Sequence, residues 1–127
     1  MKAALIVGLG SFIGGSLRYL SVVWIERKAP LDFPIAIFVV NVVGSFLIGL
    51  ATPGLERLSL GGDSFMPLFL AAGVMGGYTT FSTFSLQTLK LIQAGSWNLA
   101  FLNALASVLC CVVSVFAGLK LGQILFR

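Results

Sequence analysis

Hydroxyls and aromatic rings crowd together between Gly73 and Ser85, in the run GVMGGYTTFSTFS. Tyr78, Thr79, Thr80, Ser82, Thr83 and Ser85 surround two phenylalanines, Phe81 and Phe84. Those two stand three residues apart, so on a helix both rings lie on one face. The run sits inside an apolar segment, Phe65 to Leu89, long enough to cross a bilayer. Adjacent glycines, Gly76 and Gly77, weaken a helix by roughly 1 kcal/mol each relative to alanine. Backbone groups freed by a break in lipid must find partners in protein, ions or water. The pattern predicts a discontinuous helix, opened at the glycine pair near the membrane midplane. Its freed carbonyls, hydroxyls and paired rings would form part of a permeation path.

Three further polar features bear on such a path. Arg18 lies about two turns inside the end of an apolar segment, where a charge costs about 2.5–3.5 kcal/mol on insertion scales. It either reaches back to the interface or supplies a fixed positive charge at the mouth of an anion path. Asn41, Ser45 and Gly49 share one stripe of a second apolar segment. The Asn41 amide either bonds a neighbouring helix or faces a pore as a donor. Asn103, Ser107, Cys111, Ser114 and Gly118 form one face of a fourth segment. That stripe is either a packing seam or a polar track lining water.

The elements that must position these groups follow from composition. The chain is 58% hydrophobic and 9% charged, against about 25% charged in soluble domains. It reads as an all-α integral membrane protein with one four-helix domain over residues 1–127. The spans are Ala3 to Ile25, Ile35 to Thr52, Phe65 to Leu89 and Trp97 to Leu125. The first is closed by Glu26-Arg27-Lys28. The second is entered through Pro34 and stopped by Pro53-Gly54. The turn Gly61-Gly62-Asp63-Ser64 precedes the third. Short loops make consecutive helices antiparallel neighbours. In the first span, Gly10 and Gly14, and Ser11 and Gly15, have the spacing that lets helices approach closely in lipid. The first apolar stretch lacks a small-residue cleavage site, so no removable leader is expected. Cys110 and Cys111 are read as small apolar residues. No basic patch interleaved with aromatics points to nucleic acid. Without histidine, a buried acid–base pair or a metal-ligand cluster, an enzyme is not expected.

Charge placement bears on assembly. Lys2, Arg57, Lys120 and Arg127 fall on one side of the membrane, and Arg27, Lys28 and Lys90 on the other. Orientation follows the Lys/Arg bias, and here the bias nearly vanishes. Both insertions are then open, which permits an antiparallel, dual-topology homodimer. Four helices alone bury too little to enclose a water-filled path, which also argues for a dimer. Two broken third helices crossing at its centre would bring freed carbonyls together around a monovalent cation such as Na+.

The runs GGYTTFSTFS from Gly76, VNVVGSFLIG from Val40 and GGSLRY from Gly14 resemble the Fluc, or CrcB, fluoride channels. The similarity covers essentially the whole chain. It implies an antiparallel homodimer with two fluoride pathways and one central structural Na+ held by the carbonyls of Gly76 and Thr79 from both subunits. It makes Phe81 and Phe84 the paired pore phenylalanines, Asn41 the pore asparagine and Arg18 the helix-one arginine. Ser107 and Asn103 then fall on the polar track of the fourth helix, and Thr80 and Ser82 add hydroxyls to the path. Fluoride is small and strongly hydrated, so stripping its water demands replacement donors. The edge of an aromatic ring is electropositive and meets an anion without holding it too firmly. The implied physiology is passive efflux of cytoplasmic fluoride through a multi-pass protein of the inner or plasma membrane.

The chain departs from the usual family pattern in a few places. Gln87 stands where a glutamate is common, Ala36 and Ile37 where Gly-Thr is common, and Cys111 where serine is frequent. A small multidrug-resistance transporter is the main rival, with the same helix count and antiparallel dimers. Its proton coupling needs a carboxylate within the membrane. Here Glu26, Asp32, Glu56 and Asp63 all fall in loops or at helix ends. A non-transporting membrane subunit, whose stripes serve packing alone, is the second rival.

Overall fold

The computed structural model describes residues 1–29, 33–61 and 64–127. Asp32, Asp63 and the middle of the Gly61–Ser64 turn lie outside the described residues. Among the described residues every regular element is helical. Helix α1 spans Lys2–Lys28 and α2 spans Ile35–Leu60. A π-helix over Pro67–Met75 runs into one α-turn, α3, Gly76–Tyr78. Helix α4 covers Phe81–Gln93 and α5 covers Trp97–Leu125. Helices α1, α2 and α5 are long and apolar enough to cross a membrane.

Two sequence expectations about where helices stop are corrected. Pro53 does not end the second helix, which continues to Leu60 with the proline inside it. A proline within a helix withholds one N–H and crowds the carbonyl four residues back. The surroundings offset this. Gly49 and Leu50 lie against Val115 and Gly122 of α5, and Thr52 Oγ1 donates to the Ile48 carbonyl at 2.7 Å. Tertiary packing therefore carries the helix past its breaker. The glycine pair is likewise not where helical geometry stops. Gly76 has φ −62° and ψ −37°, and Gly76 and Gly77 both belong to α3. Extended backbone appears two residues later, at Thr79 (φ −81°, ψ 159°) and Thr80 (φ −153°, ψ 117°).

The most extensive helix packing is between α2 and α5 and between α1 and the π-helix, while the consecutive pairs α1 with α2 and α4 with α5 touch less. Both pairings depend on small residues. A Cβ built on Gly14 would strike the Val74 carbonyl, and one on Gly118 would strike the Phe46 carbonyl. Backbones in such direct contact make the dispersion and polar contacts that drive association in lipid. Gly77 repeats the device, because a Cβ there would come within 2.8 Å of Ser11 Cα. The glycine pair thus serves close approach to α1. Ser11 Oγ donates to the Gly73 carbonyl at 3.4 Å, and Tyr78 OH meets Ser21 Oγ at 3.3 Å, adding polar stitches along the same seam.

Candidate functional site

The interruption at Thr79–Thr80 is held by side chains from three directions. Thr80 N–H donates to Asn41 Oδ1 at 2.9 Å, and Asn41 Nδ2 donates to the Thr80 carbonyl at 3.0 Å. The asparagine side chain thereby replaces the helical partners that Thr80 lacks. From α1, Arg18 Nη1 donates to the Thr79 carbonyl at 3.0 Å. Thr79 N–H and Oγ1 both point back to the Met75 carbonyl, each at 3.1 Å. Thr80 then starts α4 as its N-cap, accepting from Thr83 N–H at 3.2 Å. A threonine hydroxyl there satisfies one of the donors that every helix start leaves open. Thr80 Oγ1 also meets Thr83 Oγ1 at 3.1 Å and Ser82 Oγ at 3.2 Å.

Beside this break lies a groove of about 410 Å³ walled by α2, the π-helix, the start of α4 and α5. Asn41 and Ser45 line it from α2, and Thr79, Thr80, Phe81 and Phe84 from the interrupted segment. Ser107 and Cys111 line it from α5. The Phe81 and Phe84 rings are 5.2 Å apart between centroids and tilted by 51°. Phe81 is exposed on the single chain and Phe84 is half-buried. Ser107 is 6% exposed, and its buried Oγ has no hydrogen-bond partner among the described residues. A buried hydroxyl left unpaired costs about 1–3 kcal/mol.

The structure separates the other site candidates from the groove. Asn103 is 1% exposed and donates to Thr88 Oγ1 at 2.8 Å, and Thr88 Oγ1 donates in turn to the Phe84 carbonyl at 2.9 Å. That chain of bonds anchors α4, and with it Phe84, to α5. Ser82 is exposed beside the N-cap. Arg18 stands behind the break, on the α1 side. The two readings of the α5 stripe are resolved position by position. Ser114 Oγ donates to the Val42 carbonyl at 2.9 Å and Gly118 abuts Phe46, so these belong to the seam with α2. Ser107 and Cys111 belong to the groove. Asn41 combines both of its readings, bonding the neighbouring segment from within the groove wall.

The residues that would hold a Na+ fit that task on one structural count. Thr80 N–H is engaged by Asn41, so the Gly76 carbonyl loses its ordinary helical donor. The Thr79 carbonyl carries the Arg18 bond, and a carbonyl oxygen has a second lone pair. Both residues line the groove.

The sequence matches the family model described as CrcB-like protein, Camphor Resistance (CrcB), over residues 5–119. The chain belongs to the CrcB family. Among similar CrcB-family relatives is the fluoride-specific ion channel FluC of Agrobacterium fabrum, 46% identical over 95% of this chain and 96% of the relative. The fluoride-specific ion channel FluC of Elusimicrobium minutum is 42% identical over 98% and 97% of the two chains. That of Paramagnetospirillum magneticum is 46% identical over 96% of both. With its apolar helices, this CrcB-family chain is a membrane protein. Sequence reasoning missed Ser45 and Met75 as groove residues. Ser45 was legible as the residue one turn after Asn41. Met75 carried no signal apart from its place before the glycine pair.

Proposed function

We propose that this chain is a fluoride-specific ion channel that gives passive efflux of cytoplasmic fluoride across the cell's inner or plasma membrane. The observation that carries the proposal is the groove itself. It joins the Asn41 amide, the Phe81 and Phe84 rings and the unpartnered Ser107 hydroxyl along one wall system. A strongly hydrated anion needs donors to replace its water. The groove offers amide, hydroxyl and ring-edge contacts, with no carboxylate among its lining residues. Neutral contacts of this kind suit conduction, where binding must permit both entry and exit. Neutral HF entering from an acid medium would deliver fluoride, and the negative cell interior would drive the anion out.

The functional unit in this proposal is an antiparallel, dual-topology homodimer with two pathways, its interrupted third helices crossing near the bilayer midplane. The near balance of Lys and Arg across the two faces supports dual insertion. The groove opens on the surface of the single chain beside an exposed Phe81, as a path completed by a second copy requires. At the dimer centre the Gly76 and Thr79 carbonyls of both copies would hold one Na+. The ion would contribute a fixed positive charge to the local potential. Arg18, bonded to the Thr79 carbonyl, adds a second positive group behind the path.

The test is fluoride efflux from proteoliposomes, read with a fluoride electrode beside a chloride control. Rapid fluoride release without chloride release is the expected outcome. Equal release of both halides, or neither, would remove the proposal.

A further inference from the structure

Helix α4 carries both groove rings yet buries none of its own residues. Its placement therefore rests on a few fixed points. At its start, Thr80 is tied to Asn41 of α2. Roughly two turns on, Thr88 is tied to Asn103 of α5, whose Nδ2 donates to Thr88 Oγ1 at 2.8 Å. Phe81 and Phe84 lie between the two ties. The Thr88 hydroxyl has one proton to give, and it goes to the Phe84 carbonyl at 2.9 Å. A hydroxyl bonded to the carbonyl four residues back often bends a helix. Ser85 makes the same bond to the Phe81 carbonyl at 2.9 Å, but Ser85 is exposed. Thr88 differs in being gripped from α5. Asn103 is 1% exposed, and neither Asn103 nor Thr88 lines the groove. A buried amide is costly unless it is bonded. A single buried asparagine can fix the register of packed helices at the expense of stability.

We propose that Asn103 and Thr88 are positioning residues for Phe84. Together they set the rotation of α4 about its own axis, and with it the place of the Phe84 ring in the groove. The inference rests on the groove being the fluoride pathway. Neither side chain meets the ion. Asn103 holds the Thr88 hydroxyl, and the hydroxyl holds the Phe84 carbonyl. The backbone at that point carries the ring, 5.2 Å from that of Phe81. With either group removed, α4 keeps its tie at Thr80 and is free to turn about it. The two residues act in series, so removing both should do no more than removing one.

Thr88→Val keeps the branched shape and removes the hydroxyl, Thr88→Ser keeps the hydroxyl, and Asn103→Leu removes the amide. Fluoride efflux from proteoliposomes is measured for each full-length variant and for Thr88→Val combined with Asn103→Leu. In parallel, para-fluorophenylalanine is introduced at Phe84, and separately at Phe116, which is exposed further along α5. Both are read by fluorine NMR. Thr88→Val and Asn103→Leu are expected to lower efflux, the double variant to match the lower single, and Thr88→Ser to stay close to the natural chain. The Phe84 resonance should shift or broaden in the valine and leucine variants and not in Thr88→Ser, while the Phe116 resonance stays in place. Movement of both resonances means general loosening and overturns the positioning role. So does a loss of efflux without a change at Phe84, a change at Phe84 without a loss of efflux in a conducting protein, or additive losses in the double variant. Thr88→Val against Thr88→Ser decides alone where Asn103→Leu does not assemble. A natural chain that releases no fluoride, with a Phe84 resonance that still follows Thr88, supports the tie and overturns the channel reading. Fluoride release and a Phe84 resonance both indifferent to Thr88→Val do the reverse.

Discussion

Asn41 and Thr80, separated by 39 residues, exchange two hydrogen bonds of 2.9 and 3.0 Å, the amide group acting as a strand partner for one extended residue. This pair sets where the helical ladder stops. Thr80 is 8% exposed, so its backbone has little water to turn to if the amide is removed. Asn41→Ala is expected to cost about 1–3 kcal/mol, the usual penalty for stranding a buried backbone donor. Fluoride efflux should fall, because the groove loses the Asn41 amide and the bonds that hold the Thr80 backbone in place. Asn41→Asp keeps the acceptor for Thr80 N–H and loses the donor, so it should retain more stability than alanine while conducting no better. Efflux assays paired with thermal loss of the monodisperse peak in detergent check both expectations.

Phe81 and Phe84 face one groove from a single helical turn. Replacing either by isoleucine keeps the apolar bulk and removes the electropositive ring edge. Flux should drop in both variants while assembly, read by size exclusion in detergent, stays intact. Unaltered flux in both would remove the rings from the path.

Ser107 separates a conducting role from a packing role. An unpartnered buried hydroxyl in a pure seam is a liability, so Ser107→Ala would then leave stability unchanged or raised and flux untouched. In the proposed path the same variant loses a donor and flux declines without loss of stability. The two measurements on one variant distinguish the readings.

Arg18 donates to the Thr79 carbonyl from α1. Arg18→Gln offers a donor without the charge, and Arg18→Ala removes both. If the charge serves the anion, both variants lose efflux. If the bond alone matters, Arg18→Gln recovers part of what Arg18→Ala loses. The positive-group assignment predicts the first pattern in fluoride efflux measured at low salt.

Glycines of α1 provide a matched pair. A methyl at Gly14 would press on the Val74 carbonyl, whereas one at Gly8 meets nothing within 4 Å. Gly14→Ala should destabilise by about 1–3 kcal/mol through overpacking. Gly8→Ala should be neutral or gain roughly 0.5–1 kcal/mol from helix propensity. Thermal stability in detergent, measured side by side, reads the contrast.

By itself the sequence determined the membrane class and the number of apolar segments. It also determined the extent of the last helix, Trp97–Leu125, which the structure reproduces residue for residue. The Phe81–Phe84 pairing and the presence of polar stripes were legible too, because helical periodicity alone places residues on a face. Periodicity does not say what a face meets. The α5 stripe therefore read as seam or track, and only packing assigned Ser114 and Gly118 to α2 and Ser107 and Cys111 to the groove. Local propensity pointed to Pro53 and to Gly76-Gly77 as helix breakers. Contacts with α5 carried the helix through Pro53, and the close approach to α1 used the glycines for another purpose. The extended backbone settled instead at Thr79–Thr80, because the groups that satisfy it, Asn41 and Arg18, arrive from helices 39 and 61 residues away in the chain. An exposed carbonyl in a low-dielectric interior takes whichever donor the fold delivers, and that delivery belongs to tertiary structure.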